Sequence, residues 1–205
     1  MLHRLVRFAA LPVLSAGLFL AAPAAAQMSD SYKFLDAVKK KEGNEVTDAL
    51  EKGSPNLVNT RDVTTGETAL HLVTQRRDLT WMQYLIGKGA NVNVRDARGQ
   101  TPLVVASNFS FVEGVELLVA RGARVDESNN AGETPLITAV HNRNLALVRV
   151  LLKANASPTR ADNSGRSALD YAAIDGKNGT IHAELEAASK VKAATGAKPA
   201  YGPNF

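Results

Sequence analysis

Apolar positions recur along this chain in short runs at helical spacing. Phe34, Leu35 and Val38 fall on one face, and Val46, Ala49 and Leu50 on another, either side of a Glu42-Gly43-Asn44 break. The pattern predicts a first helix pair over 31–53. A second pair begins at Thr68 and closes near Lys88, with Leu79, Trp81, Met82, Leu85 and Ile86 on its second helix. The third, Thr101 to Arg121, carries Val112, Val115, Leu117 and Leu118. The fourth is the most regular, with Leu136, Ala139 and Val140 followed by Leu145, Val148, Leu151 and Leu152. In the fifth, Asn178, Gly179 and Thr180 stand where a second helix should be apolar, and Ile181, Leu185 and Ala188 keep an inner face. A polar last unit is what closes a stack of such pairs. From about Val191 the chain is rich in Lys, Ala, Gly and Pro without period, and 191–205 reads as a disordered tail.

One stretch is written four times: Gly66-Glu67-Thr68-Ala69-Leu70, Gly99-Gln100-Thr101-Pro102-Leu103, Gly132-Glu133-Thr134-Pro135-Leu136 and Gly165-Arg166-Ser167-Ala168-Leu169. The glycines at 66, 99, 132 and 165 keep a constant step of 33 residues, the mark of a solenoid of stacked units. Each copy is a helix start. Glycine supplies a turn conformation, Thr or Ser offers a hydroxyl to orphan N–H groups, proline suits the first helical position, and leucine faces inward. Gly89-Ala90, Gly122-Ala123 and Asn155-Ala156 recur at helix ends. Asp96-Ala97-Arg98-Gly99 and Asp162-Asn163-Ser164-Gly165 recur as turns, with Asn129 replacing Asp in the unit between.

These motifs resemble the ankyrin repeat family over roughly 31–188. The resemblance implies an all-α ankyrin-repeat solenoid of about five helix-pair units with short β-turn fingers, over 27–190, with units near 31–62, 63–95, 96–128, 129–161 and 162–190. It also implies a non-catalytic protein–protein interaction module that works through a concave surface of first helices and fingers. The family's usual contact positions fall here on Thr64, Thr65, Glu67, Gln75 and Arg76, then on Ala97, Arg98, Gln100, Asn108 and Phe109. They continue on Asn130, Ala131, Glu133, His141 and Asn142, and on Asn163, Ser164 and Arg166. The expected partner-binding set is Gln75, Arg76, Arg98, Asn108, Phe109, His141 and Asn142, side chains expected to matter little for folding.

Several positions carry two readings. Phe109 is either an exposed anchor or is buried against Phe111. Gly114 stands where Trp81 stands one repeat earlier, so Trp81 either packs beside that vacancy or the glycine is unrelated. The first finger, Gly53 to Gly66, spans 13 positions against 10 for Gly89 to Gly99, three residues of drift or of ligand contact. Lys39, Lys40 and Lys41 read as a solvated outer face at the far convex end, the alternative being recruitment of an anionic surface. Asp126-Glu127 reads as a solvated finger tip.

The N-terminus changes the picture of charge and compartment. His3, Arg4 and Arg7, the apolar run Phe8 to Leu20, and Ala24-Ala25-Ala26 before Gln27 read as a signal peptide over 1–26, an uncleaved anchor being the competing reading. Its removal takes Arg4 and Arg7 from 24 Lys+Arg against 20 Asp+Glu, so a net charge of +4 falls to +2. The mature chain is expected to be periplasmic or secreted and monomeric, with no membrane span and another protein of the envelope as partner. Mixed charge signs on the fingers argue against nucleic acid. The chain has no cysteine, which removes disulfide and thiol chemistry. No phosphate loop, His-Glu-x-x-His or Gly-x-Ser-x-Gly motif occurs, so no catalytic residue, metal or cofactor is expected. His71 sits at the family's motif histidine, where tying the turn to the helix start is its expected role. Two other functions stay open: envelope association with peptidoglycan or an outer-membrane protein, and an enzyme or small-molecule binder on a repeat scaffold.

Overall fold

Hydroxyl, carboxylate and carboxamide caps set where the helices begin. Thr101 Oγ1 accepts from the Val104 N–H (3.3 Å) and Thr134 Oγ1 from that of Ile137 (3.2 Å), with Pro102 and Pro135 at the first helical position. Asp78 and Asn144 cap second helices through the N–H groups of Trp81 (3.2 Å) and Leu147 (3.0 Å). The computed structural model describes residues 29–176 and 179–194. Among them run ten helices in five antiparallel pairs: α1 (Asp30–Lys40) with α2 (Gly43–Lys52), α3 (Ala69–Gln75) with α4 (Leu79–Gly87), α5 (Pro102–Asn108) with α6 (Val112–Ala120), α7 (Pro135–His141) with α8 (Leu145–Lys153), and α9 (Ala168–Gly176) with α10 (Thr180–Ala194). No strand forms among the described residues beyond isolated bridges, Arg61 with Thr68 and Ala161 with Ser167, at the base of two fingers. The signal-peptide expectation falls outside the described residues.

The core repeats with the sequence. Leu70, Leu103 and Leu136 on the first helices, and Leu85, Leu118 and Leu151 on the second, have no exposed surface. Each buried leucine contributes about 1.5–3 kcal/mol, which helices of 7 and 9 residues need because they are marginal alone. First helices are the shorter row in the three central units, and they contact one another more closely than the second helices do. That difference bows the array toward the first-helix side.

Fingers are locked to their neighbours. Asp96 Oδ1 accepts from the Arg98 N–H (2.9 Å) and the Gln100 N–H (2.7 Å), and Asn129 Oδ1 does the same for Ala131 (2.9 Å) and Glu133 (3.0 Å). Asn can replace Asp there because the turn uses one acceptor oxygen. Backbone bonds then run finger to finger, Ala97 N–H to Thr65 O (2.9 Å), Asn130 N–H to Arg98 O (3.0 Å) and Asn163 N–H to Ala131 O (3.1 Å). Gly132, at φ +81, lies so close to the next finger that a Cβ would stand 2.6 Å from Asn163 N. Gly165, at φ +80, has no neighbour within 4 Å of where its Cβ would stand, and among the described residues no further finger packs on it. At the finger bases, Asn59 and Asn93 each donate to the carbonyl ending the next unit's second helix, Gly89 O (3.0 Å) and Gly122 O (3.1 Å).

The structure bears on two open readings and corrects three expectations. Trp81 does not meet Gly114. Its ring lies over Gly43 of the preceding unit, where a Cβ would stand 3.1 Å from Trp81 Cζ2, while Gly114 makes room for Phe111 of its own helix. The long first finger is folded: Leu57–Asn59 form a 3-10 turn that buries Leu57 and Val58, though Val63 at its tip is fully exposed. Asp126 and Glu127 are not a solvated tip. Asp126 accepts from the Ser157 N–H (2.8 Å), and Glu127 pairs with Arg95 (3.0 Å) and Arg124 (3.3 Å) beside a groove of about 1040 Å³. Helix α10 continues through Val191 to Ala194, so the aperiodic stretch begins as helix, and 195–205 lie outside the described residues. The Lys39–Lys41 run is not at a convex end, as the site geometry makes clear.

Candidate interaction surface

Every first helix but the last ends on a non-glycine residue in the left-handed conformation: Lys41 (φ 64), Arg77 (φ 57), Ser110 (φ 51) and Arg143 (φ 50). These residues set a common register. One position before them stand Lys40, Arg76, Phe109 and Asn142, and two before them Lys39, Gln75, Asn108 and His141. The step from Lys41 to Arg77 is 36 rather than 33, the difference being the three extra residues of the first finger. Lys39 and Lys40 therefore belong to the same first-helix row as the expected partner-binding residues.

That row crosses the array as a polar strip. Lys39 Nζ donates to Asp62 Oδ2 in the first finger (2.7 Å). This bond, together with the Thr65 and Thr64 N–H groups, holds the Asp62 carboxyl well below the usual carboxylate range. Gln75 Nε2 donates to Glu67 Oε1 (2.5 Å), and Arg98 reaches the same oxygen (3.6 Å) and Asp96 Oδ2 (3.5 Å). Gln75 and Arg98 thus meet on the largely buried Glu67 carboxylate. His141 Nδ1 lies 3.9 Å from Glu133 Oε1, and its ring packs edge-on against Tyr171 at 4.4 Å between centroids. The Tyr171 hydroxyl donates to Asp162 (2.7 Å), whose carboxyl is held low chiefly by the Ser164 and Tyr171 hydroxyls.

Two of the expected binding side chains are structural clamps. The Arg76 guanidinium donates to the Val38 carbonyl at the end of α1, and its Nε is buried without a partner. Asn142 Nδ2 donates to Ser107 O (3.1 Å) and also lies 3.4 Å from both Asn108 O and Ser110 Oγ at the end of α5. Each adds a second donor to a carbonyl of the preceding unit that already accepts a backbone N–H, so these side chains tie unit to unit and are expected to contribute to folding. Unit three has Phe109 at that position, which can donate nothing. Phe109 is 49% exposed while Phe111 beside it is 4% exposed, so Phe109 is not buried against its neighbour. Asn108 is exposed next to it.

Residues 34–129 match the family model for ankyrin repeats (3 copies), and residues 118–172 match that for ankyrin repeats (many copies). The chain belongs to the ankyrin repeat family. An ankyrin array is in general a non-catalytic scaffold for protein–protein interaction. The buried histidine of its motif is built accordingly. His71 Nδ1 faces the Thr68 N–H (3.2 Å) and hydroxyl (2.9 Å), and Nε2 faces Gln100 O of the next finger (3.0 Å). Donation from Nε2–H to that carbonyl requires the tautomer whose Nδ1 accepts, and burial lowers the pKa and keeps the ring neutral. His71 therefore ties one ankyrin unit to the next. In the last unit Asp170 does part of the same work, accepting from the Ser167 N–H (2.9 Å) and hydroxyl (2.6 Å).

Among the described residues no group of three or more His, Asp or Glu is placed to hold a metal ion, and no helix is long and apolar enough to cross a membrane. Sequence reasoning missed Tyr171 and Lys39 as members of the strip. Tyr171 falls 33 residues after Thr138, an inward-turned position in the preceding unit, so its hydroxyl could have been placed by register. Lys39 was hidden by the longer finger.

Proposed function

We propose that this ankyrin array is exported to the periplasm, acts there as a monomer, and captures another protein of the envelope through its first-helix face. The observation that carries this reading is Phe109. An aromatic ring half-exposed among polar side chains, at a position its neighbours use for an interunit clamp, contributes little to the fold and has the character of an interface anchor. Gln75, Asn108 and His141 hold one register position on successive first helices, and Arg98 joins Gln75 on Glu67, so these side chains serve as orienting contacts along the same face. Pairing with Glu67 holds Gln75 and Arg98 in place before a partner arrives, and the edge-on Tyr171 ring does so for His141.

The test uses the mature protein, its Phe109→Ala variant and a Gln75→Ala/His141→Ala variant as bait for crosslinking in an envelope extract, with captured proteins identified by mass spectrometry. Anchors cost about 2 kcal/mol or more when truncated, near thirtyfold in affinity. Phe109→Ala is expected to lose a protein that wild type holds, while melting close to wild type. Capture unchanged by Phe109→Ala refutes the reading. Capture of peptidoglycan fragments in place of a protein would favour the envelope-associated alternative. The export part is checked by N-terminal sequencing, with Gln27 expected as the first residue.

A further inference from the structure

The left-handed residues that end the first helices lie along the edge of the array away from the fingers, because each first helix starts at a finger and runs from it. Glycine or asparagine fills such a position at least cost, and long side chains resist it. Yet the edge holds Lys41, Arg77 and Arg143, with Ser110 the fourth member beside Phe109. Among the described residues no carboxylate pairs with Lys41 or Arg77. Arg77 lies 5.5 Å from the centre of the Phe111 ring, which leaves its charge unneutralised. Glu42 follows Lys41, and Asp78 follows Arg77 but is turned to the Trp81 N–H (3.2 Å). Lys40 and Arg143 have surface partners, Asp36 at 2.7 Å and Asp175 at 3.2 Å. An exposed pair of this kind is readily exchanged for another carboxylate.

From this row we infer that the captured partner presents an extended acidic segment that runs along the helix-turn edge. This rests on the reading that the partner is a protein. Packed helices repeat at about 8–10 Å, and an extended chain advances about 3.3 Å per residue. Three residues of the segment therefore match one unit of the array. A segment with acids at positions 1, 4 and 10 and a bulky apolar residue at 7 sets carboxylates against Lys41, Arg77 and Arg143 and its apolar side chain against Phe109. Three cations spread over four units are too sparse for nucleic acid, which is bound by many closely spaced phosphate contacts.

The probe is a fluorescein-labelled decapeptide, Glu-Ser-Ser-Glu-Ser-Ser-Leu-Ser-Ser-Glu, followed by anisotropy with the full mature chain. Controls are a peptide of the same composition with its three acids adjacent, and a single-stranded DNA decamer. Saturable binding that weakens with salt is expected for the spaced peptide. A Lys41→Asn/Arg77→Asn variant should bind it about tenfold more weakly. Its melting point should be unchanged or higher, since Asn accepts the left-handed conformation. Binding as tight for the bunched peptide or the DNA, or undiminished in the double variant, overturns the inference. If the spaced peptide fails to bind while Phe109→Ala still loses the envelope protein, the acidic segment is wrong and the first-helix surface stands. If the peptide binds and Phe109→Ala leaves envelope capture untouched, the edge stands and the anchor is wrong.

Discussion

Gly132 and Gly165 occupy the same place in consecutive units, and their backbones are alike at φ +81 and +80. Only their surroundings differ, which allows two roles of a repeat glycine to be separated. Alanine at either position pays the left-handed cost, about 1–2 kcal/mol, and recovers about 0.4–1 kcal/mol by restricting the unfolded chain. At Gly165 nothing stands within 4 Å of the new Cβ, so Gly165→Ala should destabilise by about 1.5 kcal/mol or less. At Gly132 the Cβ would stand 2.6 Å from Asn163 N and 3.0 Å from the Asp162 carbonyl carbon. Those are backbone atoms of the next finger and cannot swing aside. The finger must shift, which strains the Asn163 N–H to Ala131 O bond (3.1 Å) and the Asn163 Nδ2 to Asn130 O bond (3.0 Å). Overpacking costs about 1–3 kcal/mol and a weakened hydrogen bond about 0.5–1.5 kcal/mol. Gly132→Ala should therefore lose about 2–4 kcal/mol more than the backbone effect alone. Urea melts of the two variants, with slopes compared to confirm a common transition, give the difference directly. Equal losses would refute the reasoning and leave the glycine with a conformational role only.

Three further outcomes are expected. Leu136→Ala, at a fully buried site in the centre of the array, should cost about 2–5 kcal/mol in the same melts, whereas the exposed Arg166→Ala should change stability by about 0.5 kcal/mol or less. Arg76→Ala should loosen the first unit selectively, read as faster amide exchange in α1 than in α7, because the Val38 carbonyl loses its charged donor. For His71 the folded pKa lies below the ordinary value of about 6.5, so the unfolded chain binds more protons just under that pH. Stability should then fall as pH drops from 6.5 toward the folded pKa. His71→Gln, which can still accept from Thr68 and donate to Gln100, should flatten that slope in melts between pH 7 and 5.

The repeat phase was legible because it is written in residues that do one job each. Thr101-Pro102-Leu103 can only open a helix, and leucines 33 apart can only be the same buried position. Interunit contacts were legible where the motif itself makes them, as at His71. What sequence concealed was the direction of long side chains. Arg76 and Asn142 look like free polar surface in the chain, yet each has a carbonyl of the preceding unit within reach, visible only once two helices are set side by side. Lys39 was displaced from the strip by a three-residue insertion that shifted its register. Trp81 and Gly114 were matched on complementary size alone, and size does not say which neighbour a ring turns toward. Phe109 shows the converse. Its exposure follows from the clamp it cannot make, an inference open to sequence only if the roles of Arg76 and Asn142 are known.

The bonds between finger bases have a bearing on how such a chain can lengthen. Asn59 accepts from the Asn91 N–H (2.8 Å) and donates to Gly89 O, and Asn93 accepts from the Arg124 N–H (2.9 Å) and donates to Gly122 O. Asp126 keeps the accepting half toward Ser157. Each joint is addressed to main-chain atoms, which every unit offers in the same place whatever its side chains. A duplicated cassette of 33 residues inserted at such a joint would meet the same main-chain donors and acceptors on both of its faces. Array length is thus free to drift by whole units while surface residues such as Phe109 diverge, because the grammar of the joint and the vocabulary of the surface are held by different atoms.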